Sequence, residues 1–319
     1  MENNTWYDCF LETLYQKYPQ KSQLTEALMD LLSIEREAVY RRLRSDVVFP
    51  ANEIAKIASA WNISLNDIVG INSSHISFKM QLWNYLNPSK EELIYMRYLV
   101  EDSEYTRSFP NMECMEITNK LPRMWTSGYP YINRFYLLKW MYQYTNEKTL
   151  PLSQLIYPKI VAELSSTYYM VSKSLGTVSF ILDNNITNEL ISDIRYFHSI
   201  YLITDEEKEL IKQDLCALLE YMAEVAEKGC WPETGNKVNL YISHLSIDTN
   251  YSYYYSEDIK FCCVHAFAKN EIHTTDPVMV ENFKIWMQSK KRASVQISEA
   301  DEKSRIEFFM KQRQLLDSL

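Results

Sequence analysis

Glycine is scarce in this chain, with five residues in 319, and no P-loop, dinucleotide fingerprint, GxSxG or HExxH pattern occurs. Enzymatic readings therefore have no motif behind them, and the expectation is a non-enzyme with no cofactor and no metal. No run of about 18 apolar residues exists, and the first residues, MENNTWYDCF, hold neither a basic nor a long apolar stretch. This predicts no membrane span, no signal peptide and a cytoplasmic location. The six cysteines are spread along the chain without a CxxC pair, which fits reduced thiols. A net positive charge is lacking too: 33 Lys and Arg face 42 Asp and Glu, for a formal charge of -9. Polyanion affinity comes from cations that displace counterions, so any nucleic-acid surface has to be local.

What is abundant is apolar and aromatic. The hydrophobic fraction is 46%, with 24 tyrosines and 7 tryptophans, enough for packed cores. The length suggests a small domain joined to a larger one. Positions 36–44 hold four arginines against one glutamate, an island of positive charge in an acidic chain.

The first seventy residues read as five short helices. Apolar positions at helical spacing run from Thr5 to Tyr18 and stop at Pro19, and Leu24 to Leu32 repeats the pattern. After Ser33 and Ile34, Glu35 to Arg44 puts Ala38, Val39 and Leu43 on one face and Arg36, Tyr40, Arg41 and Arg44 on the other. Pro50 precedes a fourth helix through Ile54, Ile57, Ala58 and Trp61. Ser64 to Asp67 resembles a capping box for a fifth, with Gly70 ending it. Polar residues 71–77 form the expected boundary, dividing the chain into domains 1–75 and 76–319, with a helix starting again over Phe78 to Leu86.

Farther on, Ser89–Glu92 and Thr204–Glu207 read as capping boxes, the second opening a long amphipathic helix that closes at Gly229. Strand signals cluster later: Val238, Leu240 and Ile242 alternate with polar neighbours, YSYYYS and IKFCCVHAF follow, and Val178 to Leu182 adds another. Helices around Val280 to Met287 and Ser304 to Leu316 complete the chain. The predicted fold class is mainly α: a five-helix N-terminal domain and a larger, helix-rich α+β domain with a small antiparallel sheet.

The segment QLTEALMDLLSIEREAVYRRLRS resembles helices two and three of the Cro-like, XRE-type helix-turn-helix family, and PANEIAKIASAWNISLNDIVG resembles its next two helices. The resemblance covers roughly residues 5–70. Ser33 stands at the turn position that is commonly glycine in such motifs, and Met29 where helix two usually packs a small residue. The resemblance implies a transcriptional regulator that binds double-stranded DNA, with the third helix in the major groove. Arg36, Arg41 and Arg44 suit guanine edges or phosphates, Tyr40 suits phosphate or a thymine methyl, and Glu35 and Glu37 can accept from cytosine N4. Thr25 matches a position where the family often carries a phosphate-binding polar residue. A homodimer is expected because two half-sites multiply specificity, and residues 76–319 are expected to dimerise or to sense a small-molecule or protein effector. The alternatives are a protein-interaction scaffold built on the helix-turn-helix core, or an enzyme fused to a DNA-binding domain.

Elsewhere, Cys262, Cys263 and His265, with His244 and His273 in the same region, lack metal-ligand spacing, and on a strand Cys263 and His265 share a face that Cys262 does not. They read as ordinary strand residues. Tyr251, Tyr253, Tyr254 and Tyr255 fit a ligand pocket, an assembly surface or plain core equally well. The basic residues Lys290, Lys291 and Arg292, and later Arg305, Lys311 and Arg313, read as solvated helix ends.

Overall fold

A computed structural model describes residues 6–61, 63–69, 76–80, 82–101, 111–144, 149–266 and 270–319. The chain folds as two compact units, Met1–Ser77 and Phe78–Leu319. Gly70 and most of the polar stretch 71–77 lie outside the described residues.

The first unit contains α1 (Trp6–Lys17), α2 (Lys21–Leu32), α3 (Arg36–Leu43), α4 (Ala51–Trp61) and α5 (Leu65–Val69). Their apolar stripes meet in one core built from Phe10 and Leu14 of α1, Leu24 and Leu28 of α2, Val39 of α3, and Ile57 and Trp61 of α4. Ser33 ends α2 in the left-handed region, at φ 55° and ψ 47°, and its N–H donates to the Met29 carbonyl. That is the backbone a glycine would adopt freely, so the turn is made here at some conformational cost. Leu43 is only half-buried, whereas Val39 is fully buried. At 100° per residue Leu43 falls on the border between the apolar and polar arcs of α3.

The second unit overturns the expectation of a mainly α fold with a small antiparallel sheet. It is an α/β fold around an eight-stranded mixed sheet with the order β1-β7-β6-β5-β2-β3-β4-β8. The strands are β1 (Lys79–Met80), β2 (Glu113–Thr118), β3 (Thr177–Leu182), β4 (Lys237–Ser243), β5 (Tyr251–Tyr255), β6 (Lys260–Ala266), β7 (Asn270–Thr274) and β8 (Ser294–Gln296). Strands β2, β3 and β4 are parallel, and the remaining pairs are antiparallel. Parallel neighbours need long crossovers, and the helices between these strands supply them. Between β2 and β3 run α7 (Arg123–Thr126), α8 (Pro130–Tyr144) and α9 (Lys159–Ser172); between β3 and β4 run α10 (Asn188–Ser199) and α11 (Asp205–Lys228). Strand β2, ECMEIT, escapes sequence reading because two glutamates in six residues mask its alternation. The helix expected over Phe78 to Leu86 is also corrected: Lys79 and Met80 pair with His273 and Ile272 of β7, and the described residues 82–89 are not helical.

Each strand sends alternate side chains to opposite faces. One face carries Cys114, Val178, Phe180, Leu182, Val238 and Leu240 into the main core, together with α8 to α11 and α13 (Glu302–Asp317). The other carries Met115, Ile117, Ile181 and Tyr253 against Val280, Phe283 and Met287 of α12 (Pro277–Arg292). Among the described residues, α12 is the helix that packs on this second core. Helix α6 (Lys90–Glu101) begins at the Ser89–Glu92 capping box, in which Glu92 accepts from Ser89 N–H and Ser89 Oγ accepts from Glu92 N–H. No helix among the described residues is long and apolar enough to cross a membrane.

Candidate functional site

The first candidate surface is α3. Arg36, Glu37, Tyr40, Arg41 and Arg44 fall within an arc of about 140° at 100° per residue, and all five are exposed, as is Glu35 at the N-cap. Thr25 is elsewhere: it is buried, and its hydroxyl donates to the Lys21 carbonyl at 2.7 Å. The helix is fastened from behind. Tyr7 of α1 donates to the Arg42 carbonyl at 3.1 Å and accepts from the Phe49 N–H at 3.2 Å. Arg42 forks onto both carboxylate oxygens of Glu53 in α4 at 2.7 and 2.9 Å.

The positive charge of this surface is tempered locally. Arg44 lies 3.2 Å from both Glu37 and Asp46, and Arg36 lies 3.8 Å from Glu26. Among the described residues Arg41 alone of the four arginines has no carboxylate within ion-pair distance. It is the cation most available to an outside partner.

The second candidate surface was not legible in the sequence. Strand β2 sends Cys114, Glu116 and Thr118 to the main-core face, and the register sets Glu116 opposite Ser252 of β5, which in turn lies opposite Cys263 of β6. On the next row His265 of β6 lies opposite Glu271 of β7. The segment after β2 brings Lys120 and Arg123 to the same region, and Asn250, just before β5, closes it by accepting from the Asn119 N–H at 3.3 Å. Glu116 is only 3% exposed, and its Oε1 has no hydrogen-bond partner. Burial, reinforced by the charge of Glu271, pushes its pKa up to about 8. Burial holds His265 below the usual histidine range, so its ring is neutral near pH 7, and it lowers the Lys120 ammonium.

Arg123 is half-buried, with its guanidinium 4.9 Å from the centre of the Tyr168 ring of α9. No hydrogen bond or ion pair from its side chain occurs among the described residues. Burial opposes its charge, but the tyrosines around it, Tyr85, Tyr168 and Tyr157, and the Glu271 carboxylate favour the charged form, and its pKa stays above the usual value. Cys114 and Cys263 are buried, and desolvation raises both thiols far from ionisation at neutral pH. No cluster of three or more His, Cys, Asp and Glu side chains with metal-binding geometry exists among the described residues.

The tyrosines of β5 divide between the faces. Tyr253 points into the α12 face, donates to Glu113 at 2.6 Å and accepts from Gln288 at 3.0 Å. Tyr254 shares the face of Glu116 and stacks on Phe261 at 4.6 Å. Of the late basic residues, Lys290 and Lys291 sit over the rings of Trp286 and Tyr241, and Arg305 donates to the Ile297 carbonyl. No protein-family model, curated protein or solved structure matches the chain.

Proposed function

We propose that this protein is a sequence-specific regulator that binds double-stranded DNA through α3, acts as a homodimer, and uses its second unit to assemble or to sense an effector. The observation that carries this reading is a short helix clamped from behind by Tyr7 and Glu53, which displays Arg36, Tyr40, Arg41 and Arg44 over one arc. A helix so held fits a major groove about 12 Å wide. The left-handed Ser33 supports it, because it adopts the glycine-like backbone at the turn between α2 and α3.

Arg41 is assigned the principal base or phosphate contact, with Arg36 and Arg44 exchanging their intramolecular carboxylates for DNA on binding. The acidic neighbours make nonspecific affinity weak, so discrimination rests on base contacts. Selection of genomic fragments with the purified full chain tests the reading. A discrete enriched motif is expected, with two half-sites about 34 Å apart or a multiple of that spacing. Absence of enrichment at low salt overturns it in favour of a protein-contact role for the same surface.

A further inference from the structure

We propose that the carboxyl end of β2 is a binding site for a small organic anion that presents a carboxylate or phosphate together with an N–H donor. The site is built from Arg123, Lys120 and Glu116, and its existence does not depend on the DNA-binding reading.

Three features of the cluster converge on a ligand. Arg123 carries five N–H donors in a planar fork suited to carboxylate or phosphate, yet among the described residues its side chain lies against the face of Tyr168 and makes no hydrogen bond or ion pair. Glu271 acts on it by charge without an ion pair, so among the described residues its N–H donors stay open to an anion. Lys120 is a second cation nearby, and it makes no ion pair among the described residues. Glu116, by contrast, holds a buried oxygen with no donor facing it. Orphaned buried acceptors are uncommon in native proteins because they forfeit hydration without replacement. The anion satisfies Arg123 and Lys120, and the N–H satisfies Glu116.

Topology puts the cluster where open α/β sheets bind ligands. From β2 the chain crosses to β3 on one side, and after β4 it returns to β5 on the other side of β2. The carboxyl ends of the parallel strands β2, β3 and β4 lie at one end of the sheet, the end at which open α/β sheets bind ligands. The neutral His265 ring and the hydroxyls of Tyr168 and Tyr254 supply polar but uncharged surroundings.

Free amino acids and nucleoside monophosphates share the required chemistry, and thermal melting of the full chain separates them. Inorganic phosphate and acetate, which lack the N–H, serve as partial probes beside panels of the twenty amino acids and the common nucleoside monophosphates. At a hundredfold excess over Kd, a member of one panel should raise the second unit's melting temperature by about 5–10 °C. Phosphate and acetate should raise it less. Arg123→Met and Glu116→Met should each weaken that ligand at least about tenfold, and without probe both should melt at or above the wild-type temperature, since each replaces an unsatisfied buried polar group by an apolar one of similar size. The site is overturned if neither panel shifts the melt or if the shift persists unchanged in both variants. It is overturned equally if both variants melt lower without probe, because the groups would then be holding the fold.

Discussion

Arg42 and Glu53 form a two-pronged ion pair between α3 and α4, at 2.7 and 2.9 Å, with both side chains mostly shielded from water. One of the four arginines in the basic window is therefore committed to fastening the helix that carries the other three. Breaking a shielded pair from one side leaves the partner's charge without compensation. Glu53→Ala should destabilise the first unit by about 2–3 kcal/mol. Arg42→Ala should cost a similar amount, and the double variant less than the sum of the two. A double-mutant cycle on chemical denaturation curves measures this coupling.

The arginines on the outer arc should behave differently. Arg41→Ala should leave stability within about 0.5 kcal/mol of wild type while weakening binding to the selected DNA by about 1–3 kcal/mol. Val39, fully buried on the same helix, should show the reverse: Val39→Ala should cost about 1.5–3 kcal/mol of stability through lost burial. Denaturation and binding titrations on the two variants check the separation. Unchanged affinity in Arg41→Ala for every DNA tested would remove α3 from the interface.

Carboxylates near Arg44 hold it back from solvent anions, since Glu37 and Asp46 both lie 3.2 Å away. Glu37→Gln should therefore strengthen nonspecific DNA binding and steepen its salt dependence, because the surface then releases more counterions. Binding isotherms over a range of salt concentrations give the slope directly. A slope equal to that of wild type would mean that Glu37 does not compete with phosphate.

Glu116 gives the second unit a distinctive pH dependence. Its pKa in the folded protein is raised from 4.5 to about 8, so the folded state binds its proton more tightly than the unfolded chain does. Its contribution is fully present below about pH 4.5 and is lost as pH rises toward 8, by an amount on the order of 3–5 kcal/mol. His265 acts in the opposite sense, since its lowered pKa costs stability as pH falls below about 6.5. Lys120 and Glu271 are the other charges that bear on Glu116. Comparing wild type with Glu116→Gln isolates the glutamate: the variant's advantage should grow steadily from pH 5 to 8 in thermal melts.

At the start of α11, Thr204 accepts from the Glu207 N–H at 3.2 Å while Glu207 accepts from the Thr204 N–H at 2.9 Å. Thr204→Ala removes the cap and should cost about 1 kcal/mol. Far-ultraviolet melting of the variant measures it.

Local chemistry alone determined much of this protein. The capping boxes at Ser89 and Thr204, the glycine stop at Gly229 and the five amphipathic stretches before residue 70 depend on neighbours within a few positions, so they read directly from the chain. Strands β3, β4, β5 and β6 were legible for the same reason, because their alternation is local. Which strands pair, and in which direction, is not local. The parallel β2–β3–β4 centre depends on helices packing across long crossovers, and β2, with Glu113 and Glu116 among its six residues, reads as polar until the sheet buries it. Only tertiary structure brings Glu116, Lys120, Arg123 and His265, spread over nearly 150 positions, to one end of the sheet. Their altered ionisation is a property of that shared, poorly hydrated environment, and no residue in the linear chain carries it alone.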